Sequence, residues 1–137
     1  MATNKMIIDG EGEIFGRLCS YAAKQALEGN EIAIINCEKS IISGDKNGII
    51  AKYRTARARG GFSRKGPHHS KIVHMLMKKS IRGMLPDFRW GEGKAAFTRI
   101  KCYEGIPAEF VKEKAIKLKT NKPNRYVTLK EVADALK

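Results

Sequence analysis

The run Ile32-Ala-Ile-Ile35 is apolar at every position. A strand with one wet face alternates apolar and polar residues, so a run without alternation reads as a strand covered on both faces, as in a parallel sheet. Flanked by Glu31 and Asn36, it is too short for a helix of its own. Upstream, Met6-Ile-Ile-Asp9 has the length and β-branched content of another buried strand and is closed by Gly10. Between the two, Cys19, Ala22, Ala23 and Ala26 fall at i, i+3, i+4 and i+7, which predicts a helix from about Gly16 to Glu28 with Gly29-Asn30 as its stop. The small apolar face of this helix suits close packing on a sheet. Strand, helix and strand make one βαβ unit, and the fold class is α/β.

The 137 residues suffice for one hydrophobic core and not for two, so one domain spanning 1–137 is expected. No apolar run is longer than Ile32–Ile35, which leaves no membrane-spanning helix, and the start Met-Ala-Thr-Asn-Lys lacks the apolar region of a signal peptide. A cytoplasmic location is therefore expected. Cys19, Cys37 and Cys102 are odd in number, widely spaced and set among apolar neighbours, so they read as small buried hydrophobes rather than a disulfide framework.

Beyond the βαβ unit, Ser40 to Gly44 reads as a connection, and a second helix is predicted from near Asp45 through Ile49, Ile50 and Tyr53, continuing into Arg54, Arg57 and Arg59. Cations at that end suit the helix dipole, which alone calls for only one or two. From Gly60 to Ser70 the only large apolar residue is Phe62, and such a segment cannot bury enough surface to offset an ordering entropy of roughly 1 to 2 kcal/mol per residue. It is expected to order on a partner. Val73, Leu76, Met77, Ile81 and Met84 form one apolar stripe and predict a third helix, ended by Pro86, with Lys78, Lys79 and Arg82 pointing elsewhere. Asp87 to Lys94 reads as a loop carrying Arg89 and Trp90, followed by one helical turn and a strand from Ile100 to Tyr103. In the tail, Thr128-Leu-Lys-Glu131 is a capping-box pattern opening a helix with Leu129, Val132, Ala133 and Leu136 on its apolar face.

Charge is distributed unevenly over this frame. Residues 52–101 hold 14 Lys or Arg against Asp87 and Glu92, a net +12, whereas the remainder holds 13 basic and 12 acidic residues. Solvated faces mix both signs; a field concentrated in one third of the chain, with all three histidines in the same stretch, is the footprint of a polyanion binder. The glycines at 60, 61, 66, 91 and 93 would let backbone approach a sugar-phosphate chain, and Phe62, Tyr53 and Trp90 lie among the cations where they could stack on bases. No helix-turn-helix, zinc-finger or basic-zipper pattern is present, so folded RNA suits the stretch better than DNA sequence readout.

Other chemistries find little material. Gly10-x-Gly12-x-x-x-Gly16 misses the dinucleotide fingerprint, whose third glycine would fall on Phe15, and Glu11 and Glu13 would oppose a pyrophosphate. Gly93-Lys94 is followed by Ala95 and has no glycine five residues earlier, so it is no phosphate-binding loop. His69 and His74 are five apart, off the helical ligand spacing, and no Cys-x-x-Cys assists them, so neither a metal nor a cofactor is expected. No local pattern singles out a nucleophile and base, and clustered acids for a metal-dependent nuclease are missing from the basic stretch.

At Ser80-Ile-Arg-Gly-Met-Leu-Pro86, together with Arg99-Ile-Lys-Cys-Tyr-Glu-Gly-Ile-Pro107, the chain resembles the universal large-subunit ribosomal protein L13 family. Asp9 in the first strand, Gly16-Arg-Leu, Ile35-Asn36, Ser43-Gly44 and Lys52-Tyr-Arg extend the resemblance over nearly the whole chain. The Arg-Gly-Gly-Phe segment, the Gly-Pro-His-His loop and the Thr-Leu-Lys-Glu-Val-Ala ending are similar to its archaeal and eukaryotic branch, from which Ser63-Arg-Lys65 departs. The resemblance implies a three-layer α/β/α domain around a four-stranded parallel sheet, with a basic arm in 52–101 and a C-terminal extension over 108–137. It implies a structural, non-catalytic role in the large ribosomal subunit, with large-subunit rRNA and neighbouring ribosomal proteins as partners and no membrane or small-molecule substrate. The residues expected to face RNA are Lys52, Arg54, Arg57, Arg59, Phe62, Arg64, Lys65, His68, His69, Lys71, Arg82, Arg89, Trp90 and Lys94. A free-standing RNA chaperone or a small RNA-processing enzyme is the alternative.

Overall fold

A computed structural model describes residues 4–58, 71–118 and 121–136. Strand β1 (Lys5–Asp9), helix α1 (Phe15–Leu27) and strand β2 (Glu31–Ile35) realise the expected βαβ unit, with β1 and β2 parallel and Ile8 opposite Ile34. Strand β3 (Ile41–Ser43) and helices α2 (Lys46–Ala58), α3 (Val73–Met84) and α4 (Gly91–Arg99) follow, and α4 runs straight into strand β4 (Ile100–Cys102). Strand β5 (Tyr126–Thr128) and helix α5 (Leu129–Ala135) close the described chain.

Strand β4 pairs with β2, giving a parallel sheet in the order β1-β2-β4. It has three strands rather than the four implied by the family resemblance. Among the described residues the outer edge of β1 is met only at Ile116, whose backbone exchanges hydrogen bonds with Ile7 and Asp9 at 2.8 and 3.0 Å. Charged residues crowd that segment, with Glu113, Lys114 and Lys117 close to Ile116 in sequence, and pairing there stops at a single bridge.

The pleat sends Ile8, Ile32 and Ile34 to one face, where they pack with Ile100 and with buried residues of α1, α3, α4 and α5. Small residues let α1 lie close: Cys19, Ala22 and Ala26 are fully buried. Ile7, Ala33 and Ile35 occupy the other face, against which no α-helix packs among the described residues. Among the described residues this narrow apolar strip is covered by the 103–116 segment, whose single 3-10 turn, Ala108–Phe110, buries Phe110 with its ring 5.5 Å from that of Tyr103. A strip three residues wide is covered by one aromatic pair and one short turn.

The stretch read as a connection, Ser40 to Gly44, contains β3, which pairs antiparallel with β5 so that Ile42 faces Val127. Three-residue strands carry no local period, and only the distant partner defines them. Against this pair pack α2 and α5 through Ile49, Tyr53, Val132 and Leu136. Thr128 forms the capping box of α5 with Glu131, as its pattern predicts. Leu85 is extended ahead of Pro86 and stops α3 at Met84.

Cys19 and Cys37 are buried and Cys102 is half-buried, all as free thiols. Burial pushes the Cys19 thiol up, and a contact with Cys102 together with burial does the same for Cys37. Thiols held protonated in this way behave as packing groups.

Candidate nucleic-acid interface

The described part of the basic stretch comprises the second half of α2, the residues leading into α3, α3 and α4 with the turn between them, and the start of β4. Lys52 is exposed on α2, and Arg57 is half-buried one turn and a half further on. Arg54 is exposed but engaged within the protein: its Nε and Nη2 donate to the Ala135 carbonyl at 3.2 and 3.1 Å. The last carbonyls of a helix lack intrahelical partners and carry partial negative charge, so Arg54 closes the C-terminal end of α5. Its first role is to join two helices. Arg59, Phe62, Arg64, Lys65, His68 and His69 lie outside the described residues, as does the segment 60–70 expected to order on a partner.

A compact group forms where α3 ends and α4 begins. Lys78 and Arg82 stand four residues apart on α3 and so project from one side of it. The Lys78 ammonium lies 5.0 Å from the centre of the Phe97 ring, and the Arg82 guanidinium lies 4.6 Å from that of Phe88. Arg89 reaches the same Phe88 ring at 5.7 Å, and the two phenylalanine rings are tilted 6.2 Å apart. Such cation–π contacts hold three long cationic side chains in place, each at a gain of about 0.5–1 kcal/mol where exposed. The Lys79 ammonium has its pKa lowered by desolvation and by the adjacent Arg82 charge. Repulsion of that kind is the local signature of cations gathered faster than anions.

Trp90 is 72% exposed, more than any other large apolar side chain described. It precedes α4 in extended backbone, and the Lys94 amide one turn later donates to its carbonyl at 3.3 Å. The exposed indole is thus flanked by Arg89 and Lys94, both exposed. Asp87, an acid beside this group, accepts the Arg89 amide at 3.0 Å and shapes the turn. Gly93 has an intramolecular reason that the sequence reading did not supply. A Cβ there would fall on the Pro86 and Asp87 carbonyl oxygens, so the glycine admits the protein's own chain rather than a sugar-phosphate backbone.

This group sits at the N-terminal end of the parallel strands. Met84, the last residue of α3, borders a groove with Lys24, Leu27 and Glu28 at the end of α1, and Arg99 donates to the Ala26 carbonyl at 2.9 Å. Lys71 is separate from it, lying before α3, whose 12 residues span about 18 Å. At that other end, the His74 Nδ1 stands 3.5 Å from Glu104. The sequence places Lys78 off the apolar stripe of α3 but not among the expected RNA-facing residues, and it does not single out Phe88 or Phe97. The spacing of Lys78 and Arg82 was available as a signal, whereas nothing in the order of residues says that Phe88 and Phe97 meet.

Among the described residues no three His, Cys, Asp or Glu side chains are grouped to hold a metal ion. Gly10 packs where a Cβ would lie 3.2 Å from the Ile35 carbonyl and 3.3 Å from Leu18, which accounts for that glycine without a nucleotide. The Glu38 carboxylate, just after β2, accepts the Gly105 amide at 2.9 Å.

Comparison with known proteins gives a family match and close relatives. Residues 3–109 match the family model described as Ribosomal protein L13. The chain is 38% identical over 133 residues to the large ribosomal subunit protein uL13 of Archaeoglobus fulgidus, covering 93% of this chain and 84% of that one. It is 38% identical to the protein of the same name from Thermoplasma acidophilum, covering 95% and 96% of the two chains. The corresponding Methanosphaera stadtmanae protein is 37% identical over 134 residues, covering 96% and 94%. All three are archaeal.

Proposed function

The chain belongs to the ribosomal protein L13 family, and from that premise we propose that it is a non-catalytic structural constituent of the large ribosomal subunit. Its partners in that role are large-subunit rRNA and the ribosomal proteins beside it, bound during assembly and kept in the mature particle in the cytoplasm. The observation that carries the RNA contact is the group at the α3–α4 turn, where Lys78, Arg82 and Arg89 are held on aromatic rings beside exposed Trp90 and Lys94. Cations fixed in place lose less rotamer freedom on meeting phosphates, and each contact releases condensed counterions. Guanidinium planes and an exposed indole also stack on unpaired bases, which duplex phosphates alone do not require. The α/β core is the rigid mount for this surface. The chain acts as one unit over 1–137, with 52–101 as the basic region and 108–137 as an extension that covers the open face of the sheet and supplies β5 and α5.

The test is the affinity of the full chain for large-subunit rRNA against unrelated structured RNA of equal length, across a salt series. Selective binding that persists at higher salt supports the assignment. Equal affinities falling together, with a slope of roughly 0.7 to 0.9 per phosphate contact, would reduce it to generic charge attraction.

A further inference from the structure

The near-neutral part of the chain also yields a basic surface once folded. Beyond the C-terminal ends of β1 and β2, a cleft is lined by Lys39, Lys117, Lys122 and Lys130 together with Glu11 and Glu38. These lysines come from four separate places: a 3-10 turn after β2, the bridge segment beside β1, the approach to β5, and α5. Gly12 has positive φ, and a Cβ there would lie 3.3 Å from the Lys122 Cε and 3.7 Å from its Nζ, so a glycine lets this lysine lie against the β1–α1 turn. Lys117 has Asp9 at 3.7 Å, and Glu38 is engaged at Gly105. Among the described residues, Lys39, Lys122 and Lys130 have no carboxylate within ion-pair distance.

Four cations against two carboxylates leave the concavity net positive, and an anion seated among the unpaired lysines relieves their mutual repulsion. The crevice outside the carboxyl ends of the strands is also where open α/β sheets receive ligands. We propose that this cleft is a second RNA-phosphate-binding surface, at the opposite end of the sheet from the α3–α4 group. The domain then bridges two segments of RNA through a rigid core. This inference rests on the ribosomal reading above and extends it to residues outside the basic stretch.

The test compares the full wild-type chain with a Lys39→Gln, Lys122→Gln, Lys130→Gln variant on purified large-subunit rRNA, by salt-dependent affinity and by backbone footprinting. The variant is expected to lose about 2 from the log–log salt slope and one set of protected nucleotides, while keeping the set protected by the α3–α4 group. The corresponding triple Lys→Arg variant is expected to restore both. A measurement without mutation guards against misfolding: amine-reactive labelling of the wild-type chain should fall at all three lysines when rRNA is bound. An unchanged slope and footprint, or labelling unaffected by rRNA, would overturn the second surface and leave the proposed function standing. Failure of the wild-type chain to prefer rRNA would overturn both.

Discussion

The sheet core and the α3–α4 surface use opposite rules to hold their side chains. In the core, Ile8, Ile34 and Ile100 are fully buried and each is surrounded by apolar groups from several elements, so position is set by exclusion of water. At the surface, Lys78, Arg82 and Arg89 are positioned by the faces of Phe88 and Phe97, with Arg89 exposed and Lys78 and Arg82 half-buried. A core residue contributes to stability and only indirectly to binding, whereas a surface cation contributes to binding and little to stability. The comparison therefore predicts separable phenotypes, and residues that violate it are the informative ones.

The largest effect is expected in the core. Ile34→Asn should cost at least about 3 kcal/mol, from lost apolar transfer and an amide buried without partners, out of roughly 5–15 kcal/mol in all. Urea unfolding followed by circular dichroism checks it; a loss under about 1 kcal/mol would mean the site admits water and the sheet is not covered there. Next, Gly93→Ala places a methyl on the Pro86 and Asp87 carbonyls inside the basic stretch. It should destabilise by about 1–3 kcal/mol, the usual range for overpacking, and so behave as a core substitution within the binding region. If stability held while RNA affinity fell, the glycine would serve the ligand instead.

Which of these features could be read from residue order depends on how far apart their determinants lie. The βαβ unit, α3 and the Thr128–Glu131 capping box were legible because their signals repeat within a few residues. The start of α4 at Gly91 was missed because two glycines and Trp90 read as a loop, and packing on the 86–87 backbone overrides that preference. Strands β3 and β5 were not legible at all, since Ile41 finds its partner at Thr128. In the candidate site, residue type and charge were visible while contact was not. Arg54 looked like one more RNA-facing cation, and its acceptor lies 81 residues away in sequence. The lysine cleft was hidden for the converse reason, because its cations come from separate stretches of near-neutral sequence and are brought together only by folding.

Trp90 sharpens the comparison from the surface side. With 72% of its area exposed it has little to lose in stability, so Trp90→Ala should change the unfolding midpoint negligibly. Loss of a stacking platform should weaken rRNA binding by about 1–3 kcal/mol, with Trp90→Phe keeping much of it. Since the chain has one tryptophan, its fluorescence reports on this position alone, and rRNA should quench it. Binding with neither quenching nor sensitivity to Trp90→Ala would place the indole against a neighbouring protein.

The smallest effect comes from the cation that belongs to both regions by appearance. Arg54 is exposed and lies in the basic stretch, yet its Nε and Nη2 both donate to the Ala135 carbonyl. If closing the end of α5 is its main work, Arg54→Ala should lower stability by about 0.3–1 kcal/mol, the worth of a cation at a helix C-terminus. The loss should shrink as salt rises, because the dipole interaction is screened. The change in rRNA affinity should be smaller than for Lys52→Ala, whose side chain is exposed on the same helix with no such carbonyl. Should Arg54→Ala instead leave the unfolding midpoint unchanged and flatten the salt dependence of binding by about one contact, the guanidinium turns from α5 to phosphate when RNA arrives. The C-terminal helix would then be tied to α2 only in the free protein, and stability measured without RNA would overstate what Arg54 does in the particle.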